Sequence, residues 1–479
     1  MPSMDSAIPK AQASEISGTQ SLPILSSILP DGRMAEIVYD ARESTTHLSV
    51  WDGRGWEIAA SIATGHGERL VPYSATNSLI RNGIVLLPST PVEFGTANEL
   101  VQELRCYLHR YVDLSESFER LAAYYALFTW VYDRFNELPY LRLRGDYGTG
   151  KTRFLLTLGS ICYKPIFASG ASTVSPLFHM LDRFGGTLII DEADFRFSNE
   201  KSDLAKILNN GNARGFPVLR SESKNGREFN PRAFQVFGPK IIAMRKHFED
   251  PALESRFITE TSGGRALRKD IPINLPPEQK SDALALRNKL LMFRFKRFVQ
   301  IDPTPATLDP AVEPRLNQIY SPLSAVMDDK DARDDLRAIA RQNSALLKAD
   351  RGASMDAQVL TVIRHLMETS KKPNIGIKDI AEVFGRAYGL EYERPVSNRW
   401  LGHVVRRKLN LVTQKSHGVF MIPVSERPKL EILFERYGVT REDVEALHID
   451  KTSVHAEGLR MDPVDFGDLG DVGAEPGAR

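Results

Sequence analysis

Cysteine is nearly absent: Cys106 and Cys162 are the two in 479 residues. Each stands alone in an apolar stretch, which excludes a disulfide framework and a cysteine-ligated metal site and points to a reducing cytoplasm. Long hydrophobic runs are missing too. The longest, Leu121 to Tyr132, is too short to span a bilayer and runs into Asp133 and Arg134, so no membrane is expected as a partner. Met1 to Gln20 is polar without an apolar centre and does not read as a secretory signal. Net charge is close to nil at +1, but it is unevenly spread. From Arg441 onward 4 Lys/Arg face 10 Asp/Glu, leaving 58 against 51 for the rest. An acidic tail on a mildly basic body suits a nucleic-acid partner without requiring one. With 42% hydrophobic and 26% charged residues, the composition is that of a globular chain of roughly two to four domains.

What the chain does have is a phosphate loop. Tyr140 to Leu143 form a short apolar run, Gly145-Asp146-Tyr147-Gly148-Thr149-Gly150 a glycine-rich turn, and Lys151-Thr152-Arg153 open a segment with helical patterning. This is Walker A spacing. A triphosphate must be wrapped by main-chain N–H groups, and side chains at the glycine positions would hold the backbone too far away. The positive end of the helix adds to the attraction. Lys151 is placed to reach the β- and γ-phosphates of ATP, and Thr152 to set its hydroxyl on Mg²⁺. Such spacing arises by accident in roughly one chain in sixty of this length, so a second half of the site is needed. Thr187-Leu188-Ile189-Ile190 followed by Asp191-Glu192, 40 residues after Lys151, is the Walker B pattern. The run is apolar because a central parallel strand is covered on both faces, and its acidic end emerges at the carboxyl edge where ligands bind. Asp191 is expected to hold Mg²⁺, and Glu192 to orient and polarise the attacking water.

Around this pair the chain reads in order. Residues 1–27, rich in Ser, Ala, Pro and Gln, look like a disordered leader. Residues 28–96 read as a small β-rich module in which Trp51 and Trp56 flank the turn Asp52-Gly53-Arg54-Gly55; these aromatics serve either to stack on bases or, more commonly, to pack across strands. Residues 97–300 read as the ATPase core with a helical lid. It opens with a stripe at Leu100, Leu104, Tyr107, Leu108 and Tyr111 and a second helix from Phe118 to Phe135. Beyond Walker B, two strand-like runs carry Arg214, Arg220, Lys224, Arg227 and Arg232, a basic hairpin that either touches DNA phosphates or pairs with nearby carboxylates. Lys240 to Met244 is the next core strand, ending in Arg245 and Lys246. Ala252-Leu253-Glu254-Ser255-Arg256-Phe257 follows, with Arg256 placed to reach a neighbouring subunit's γ-phosphate.

Walker A, Walker B with Asp-Glu, a basic hairpin, a sensor strand and Ala-Leu-x-Ser-Arg-Phe, in this order, resemble the AAA+ P-loop ATPases of the helicase branch. The likeness is to minichromosome-maintenance-like helicases and to the ATPase domains of phage and plasmid primase-helicases, over about residues 98–300. The resemblance implies an Arg256 that acts in trans, hence a ring or oligomer, and a second sensor on a lid helix, for which Arg287 is best placed. Basic residues, Arg245 and Lys246, stand where such families carry a sensor asparagine, and no zinc-binding or primase-like segment is present.

Residues 301–352 read as a helical linker. Residues 353–440 read as a winged-helix domain: three helices, then a hairpin across His417-Gly418, with Asn398, Arg399, Arg406 and Arg407 on the third helix and Lys415 at the wing. Between Lys371 and Gly418 there are 10 Lys/Arg and 4 Asp/Glu, which favours DNA, although winged helices also bind proteins. Residues 441–479 form the acidic tail. The expected fold is therefore α/β: an AAA+-like P-loop parallel sheet flanked by helices, between a small β-rich module and a winged helix. The expected function is a DNA-associated, ATP-hydrolysing motor, a helicase or replication-initiation ATPase of a mobile element. Two alternatives stay open: a regulatory ATPase, loader or transcriptional switch, that binds duplex DNA without unwinding, and a DNA-binding module whose ATP site only organises assembly.

Overall fold

Five short, mostly buried segments build the central sheet: Tyr140–Arg144, Ile166–Ser169, Leu188–Asp191, Lys240–Met244 and Phe257–Thr261. All of their pairings are parallel. Across the sheet the order is Phe257–Thr261, Tyr140–Arg144, Lys240–Met244, Leu188–Asp191, Ile166–Ser169. Parallel strands this apolar need cover on both faces, and helices supply it. Lys151–Gly159, Val174–Phe184, Ala97–Tyr111 and Glu116–Thr129 all bury an apolar side. Parallel pairing also gathers every carboxyl end on one edge. Gly145, Asp191, Arg245 and Ser262 follow or end their strands there, while Arg256 precedes its strand at the opposite edge. Five parallel strands flanked by helices fit a P-loop NTPase-like fold.

The computed structural model describes residues 20–64, 68–169, 173–191, 198–224, 228–248, 250–264, 267–304, 307–389, 396–416 and 418–447. The chain divides into two compact units, Met1–Ala345 and Leu346–Arg479. In the first, the amino-terminal part is all strand. Ser26–Ile28, Met34–Asp40, Thr45–Trp51 and Trp56–Ala59 form an antiparallel sheet, and Gln20–Ile24, Glu68–Pro72 and Ile62–Ala63 a second, mixed one in which Gln20–Ile24 runs parallel to Glu68–Pro72. The leader expected over residues 1–27 therefore gives way to strand at Gln20. Leu22 and Ile24 alternate toward a small core of Leu29, Ala35, Leu48 and Val50, and Pro23 is tolerated because its strand is an edge. Trp51 and Trp56 are cross-strand partners, and the Trp51 ring stacks on Phe295 at 5.8 Å, so that tryptophan is spent on packing.

Phe295 belongs to the helix Glu278–Arg297, whose buried side is unusually polar. Arg294, 2% exposed, donates to Asp133 through both terminal nitrogens at 2.7 Å, to Glu36 at 2.6 Å and to the Trp130 carbonyl at 2.6 Å. Tyr163 donates to Glu36 at 2.9 and 2.8 Å, and Lys164 lies 3.7 Å from the same carboxylate. This ionic cluster joins the amino-terminal sheet, the Glu116–Thr129 region, the segment after Lys151–Gly159 and the lid helix. Residues 301–345, expected as linker, also pack on the core. Tyr320 on the helix Pro314–Ser324 donates to the Phe257 carbonyl at 3.0 Å, and Asn343 on Lys330–Gly352 donates to the Tyr320 hydroxyl at 2.8 Å.

The second unit has its own core, centred on Leu360, Ile363, Ile380, Phe384, Leu401 and Val405. Met355–Thr369, Ile377–Tyr388 and Asn398–His403 are its first helices, and the last runs on into a π-turn, Val404–Lys408. A three-stranded sheet follows, with Val419–Ile422 between Ile375–Gly376 and Gln414–Ser416. Two further helices, Arg427–Tyr437 and Arg441–Glu445, close the unit. Among the described residues, no helix is long and apolar enough to cross a membrane.

Candidate functional site

The phosphate loop leaves the Tyr140–Arg144 strand at Gly145, where any side chain would collide with Ser262 Oγ and Thr149 Oγ1. Ser262 is itself fixed, donating from its main-chain N–H to the Arg144 carbonyl at 2.7 Å. Gly148 and Gly150 adopt φ of 73° and 83°, left-handed values that glycine accepts without strain. Gly150 caps the helix Lys151–Gly159 without a side chain, so the first-turn amides stay uncovered by a capping group. Thr149 Oγ1 donates to the Asp146 carbonyl at 2.8 Å and ties the bend together. Lys151 Nζ donates to the Gly145 and Asp146 carbonyls at 2.8 and 2.5 Å, which holds its charge inside the loop.

Two strands away in the sheet, the Leu188–Asp191 strand brings its carboxylate to the same place. Thr152 Oγ1 donates to Asp191 Oδ2 at 2.6 Å. A hydroxyl and a carboxylate oxygen side by side are hard donors of the kind Mg²⁺ takes when it is otherwise held by phosphates and water. Among the described residues no group of three or more His, Cys, Asp or Glu could hold a metal. The glycine bend that excludes a side chain, the cationic Lys151 and the helix N-terminus together fit a nucleoside triphosphate. Glu192 lies outside the described residues.

A basic residue stands at the expected sensor position. Arg245, at the end of the Lys240–Met244 strand, donates to the Tyr147 hydroxyl, and its guanidinium lies 4.3 Å from the Tyr147 ring centre. Tyr147 is 75% exposed, so this contact forms on the open side of the loop. Behind it, Arg144 meets His247 and donates to Thr261 Oγ1 at 2.9 Å; burial and then the neighbouring Arg142 press its pKa down. Arg142, fully buried, makes a two-pronged bond to Glu254. Burial works to raise the Glu254 pKa, but the bonds and charge of Arg142, with His247, hold it down at about 2. The carboxyl edge thus carries Lys151, Arg144 and Arg245 around one bend.

Three expected site residues stand elsewhere. Arg153 points to the segment beyond the last core strand, donating to the Pro272 carbonyl at 2.5 Å and to that of Ile273, and so braces the loop helix. Arg256 lies at the amino edge, where its carbonyl accepts from Tyr140 N at 2.9 Å. A five-residue strand, about 16 Å long, separates it from its own phosphate loop. It is 9% exposed and donates to Asn212 at 2.9 Å and Asn209 at 2.5 Å. The structure does not bring Arg287 to the loop. It is buried in the lid helix and donates to the Ser160 and Leu87 carbonyls at 2.6 and 3.2 Å, at the far end of the loop helix, with burial pressing its pKa down to about 10.

In the hairpin Val218–Lys224 and Glu228–Phe234, Arg220 lies 3.5 Å from Asp203 and Arg232 3.2 Å from Asp182. Arg214 donates to the Phe135 and Asp133 carbonyls. Arg227 and the Lys224 side chain lie outside the described residues. Ser262 and Arg144, which shape the bend, carried no motif; the Ser262-Gly263-Gly264 step after a core strand is the one local sign.

No family model matches the chain, and no curated protein matches it in sequence. Among solved structures, the NrS-1 C-terminal region (305–718) in its A-form apo state aligns over 81% of this chain and 96% of that one, at 11% identity and a TM-score of 0.36. A further apo structure of the same region gives 12% and 0.34 over 81% and 95%. The JCV helicase with a bound acetamide compound aligns over 57% and 66%, at 14% and 0.25. Likenesses at these scores do not define a family, and the reading below rests on the site.

Proposed function

We propose that this chain is an AAA+-type ATPase that works on DNA as a motor, a helicase or replication-initiation ATPase in the cytoplasm. The observation that carries the reading is the 2.6 Å bond between Thr152 and Asp191, which joins the phosphate loop to the acidic strand end. Gly145 to Lys151 would wrap the β- and γ-phosphates of ATP with main-chain amides, and Lys151 would turn from its carbonyls to the phosphate oxygens. Thr152 and Asp191 would hold Mg²⁺, which when bound neutralises charge on those oxygens. Glu192, next along from Asp191, would align the attacking water and take its proton. Arg256 would act on a neighbouring subunit's site, since its own is a strand's length away, and this calls for a ring or other oligomer.

The carboxyl-terminal unit, with three helices and a wing-like hairpin, reads as a winged helix that meets DNA through Asn398, Arg399, Arg406, Arg407 and Lys415, all exposed. The pairing of Arg220 and Arg232 with carboxylates favours a second reading, a switch that binds duplex DNA and does not thread it over a basic hairpin. Hydrolysis and unwinding assayed side by side on forked, single-stranded and blunt DNA separate the two. Turnover stimulated by single strands, with displacement on forks, is expected of the motor; stimulation by duplex alone without displacement establishes the switch. Wild-type protein that hydrolyses no ATP overturns both.

A further inference from the structure

From Val396 to Ser425 the sequence holds five Lys/Arg and no carboxylate. In the structure this stretch gathers around one exposed ring. Phe420, 45% exposed on the strand Val419–Ile422, has the Arg406 guanidinium 5.3 Å and Lys415 Nζ 5.9 Å from its centre. Val419 beside it and Val412 are exposed as well.

The placement of Arg406 is built into the helix. The Val404–Lys408 segment is a π-turn, with Leu409 N donating to the Val404 carbonyl at 3.0 Å. One extra residue per turn re-aims the side chains that follow, and such turns cluster at functional sites. Here the guanidinium comes down over Gly402, where an added Cβ would lie 3.0 Å from both of its terminal nitrogens. Arg406 is therefore held between Gly402 and the Phe420 ring, its donors pre-set. Lys408 is partly neutralised by Asp356 at 3.4 Å, while Arg399 and Arg407 remain exposed.

An exposed aromatic ring between two cations offers a nucleic acid a partner for each of its parts, a base for the ring and phosphates for the charges. We infer that Phe420, backed by Arg406 and flanked by Lys415, is a stacking platform for an unpaired base, so the carboxyl-terminal unit takes single-stranded DNA. This deepens the proposed DNA-associated function and rests on it. Duplex DNA hides its base faces in the stack, so a ring of this kind distinguishes strands with open bases, whereas the neighbouring arginines serve any phosphate backbone.

The test uses the full chain and fluorescence anisotropy with an oligo-dT single strand, an abasic strand of the same length and a blunt duplex. Wild type should bind oligo-dT about 5- to 100-fold more tightly than the abasic strand, the range expected for one stacked base. Phe420→Leu, which keeps the apolar volume, should remove most of that difference and leave duplex binding and salt dependence unchanged. Arg406→Gln should lower the salt slope on single strands by about 0.7. Equal wild-type affinity for dT and abasic strands, or a Phe420→Leu protein that still discriminates them, overturns the platform while leaving DNA binding standing. Failure of wild type to bind any of the three at low salt overturns the DNA reading itself. The dT-against-abasic comparison needs no variant, so misfolding cannot mask the answer.

Discussion

Two charged clusters in the first unit use the same side chains in opposite ways. Around Arg294, the charges of Glu36, Lys164 and Arg294 itself are buried and that of Asp133 half-buried, and each is closed on a protein partner. Around Lys151, the cations lie at an open edge, held on main-chain carbonyls or on an exposed tyrosine. Burial governs the first cluster and pushes the Lys164 pKa down to about 8 despite Glu36. The first cluster gains order by removing charge from water, at a desolvation cost that only its mutual pairing offsets. The second keeps its charge near solvent, where a phosphate can take over the bonds. The lesson is that burial tells stapling from binding better than charge does: what matters is whether a cation is closed into the core or held at an open edge.

The sharpest way to break this comparison is at its two centres. Lys151→Ala should lower ATP hydrolysis roughly 10²- to 10³-fold or more, the scale of losing one preorganised charge donor, with the urea midpoint nearly unchanged. A clear loss of stability with activity retained would reverse the roles of the clusters. Arg294→Met should do the opposite, costing roughly 3–5 kcal/mol because Asp133 loses its two-pronged partner and buried Glu36 keeps only the more distant Lys164. Adding Glu36→Gln should then recover part of that loss, and a double-mutant cycle reads the coupling directly. Strictly additive urea midpoints would show that the cluster is not one network.

Legibility in the sequence divides along the same line. The phosphate loop, the Asp191 strand and the Lys240–Met244 strand rest on contiguous patterns, glycine spacing and short apolar runs that carry their own physical reason, whereas the strand Phe257–Thr261 and the order across the sheet do not. Nothing local announces the Arg294 cluster. Glu36, Asp133, Lys164 and Arg294 are scattered along the chain, and the lid helix buries Gln279, Arg287, Asn288 and Arg294 on its core side, which hides its periodicity. Arg287 enters as a sensor through the resemblance alone, which says nothing of which face of the lid helix is buried. In the second unit, the helix Arg427–Tyr437 went unread although Pro428 at its start and Gly438 just past its end mark it.

Smaller effects refine the contrast. Glu254 sits between the two regimes, partly buried and tied to Arg142, with a pKa depressed to about 2 from an ordinary 4.5. Its contribution is therefore complete above about pH 4.5 and is lost as pH falls toward 2. Melting temperatures of wild type and Glu254→Gln should differ most near neutrality and converge through that acid range; a constant gap would mean the bond to Arg142 contributes nothing through ionisation. Smallest of all, Arg232→Ala should shift stability by about 1 kcal/mol or less, because its pairing with Asp182 is solvent-exposed. A larger loss in a urea titration would place the hairpin with the staples.

Ser262 gives the phosphate bend a neighbour it cannot move without. The space that a side chain on Gly145 would fill belongs to Ser262, and the stretch beyond is tethered by Arg153 to Pro272 and by Arg268 to Asp113 and His109. The flank of the sheet beside the bend is thus fastened to the end of the Ala97–Tyr111 helix and the residues just past it.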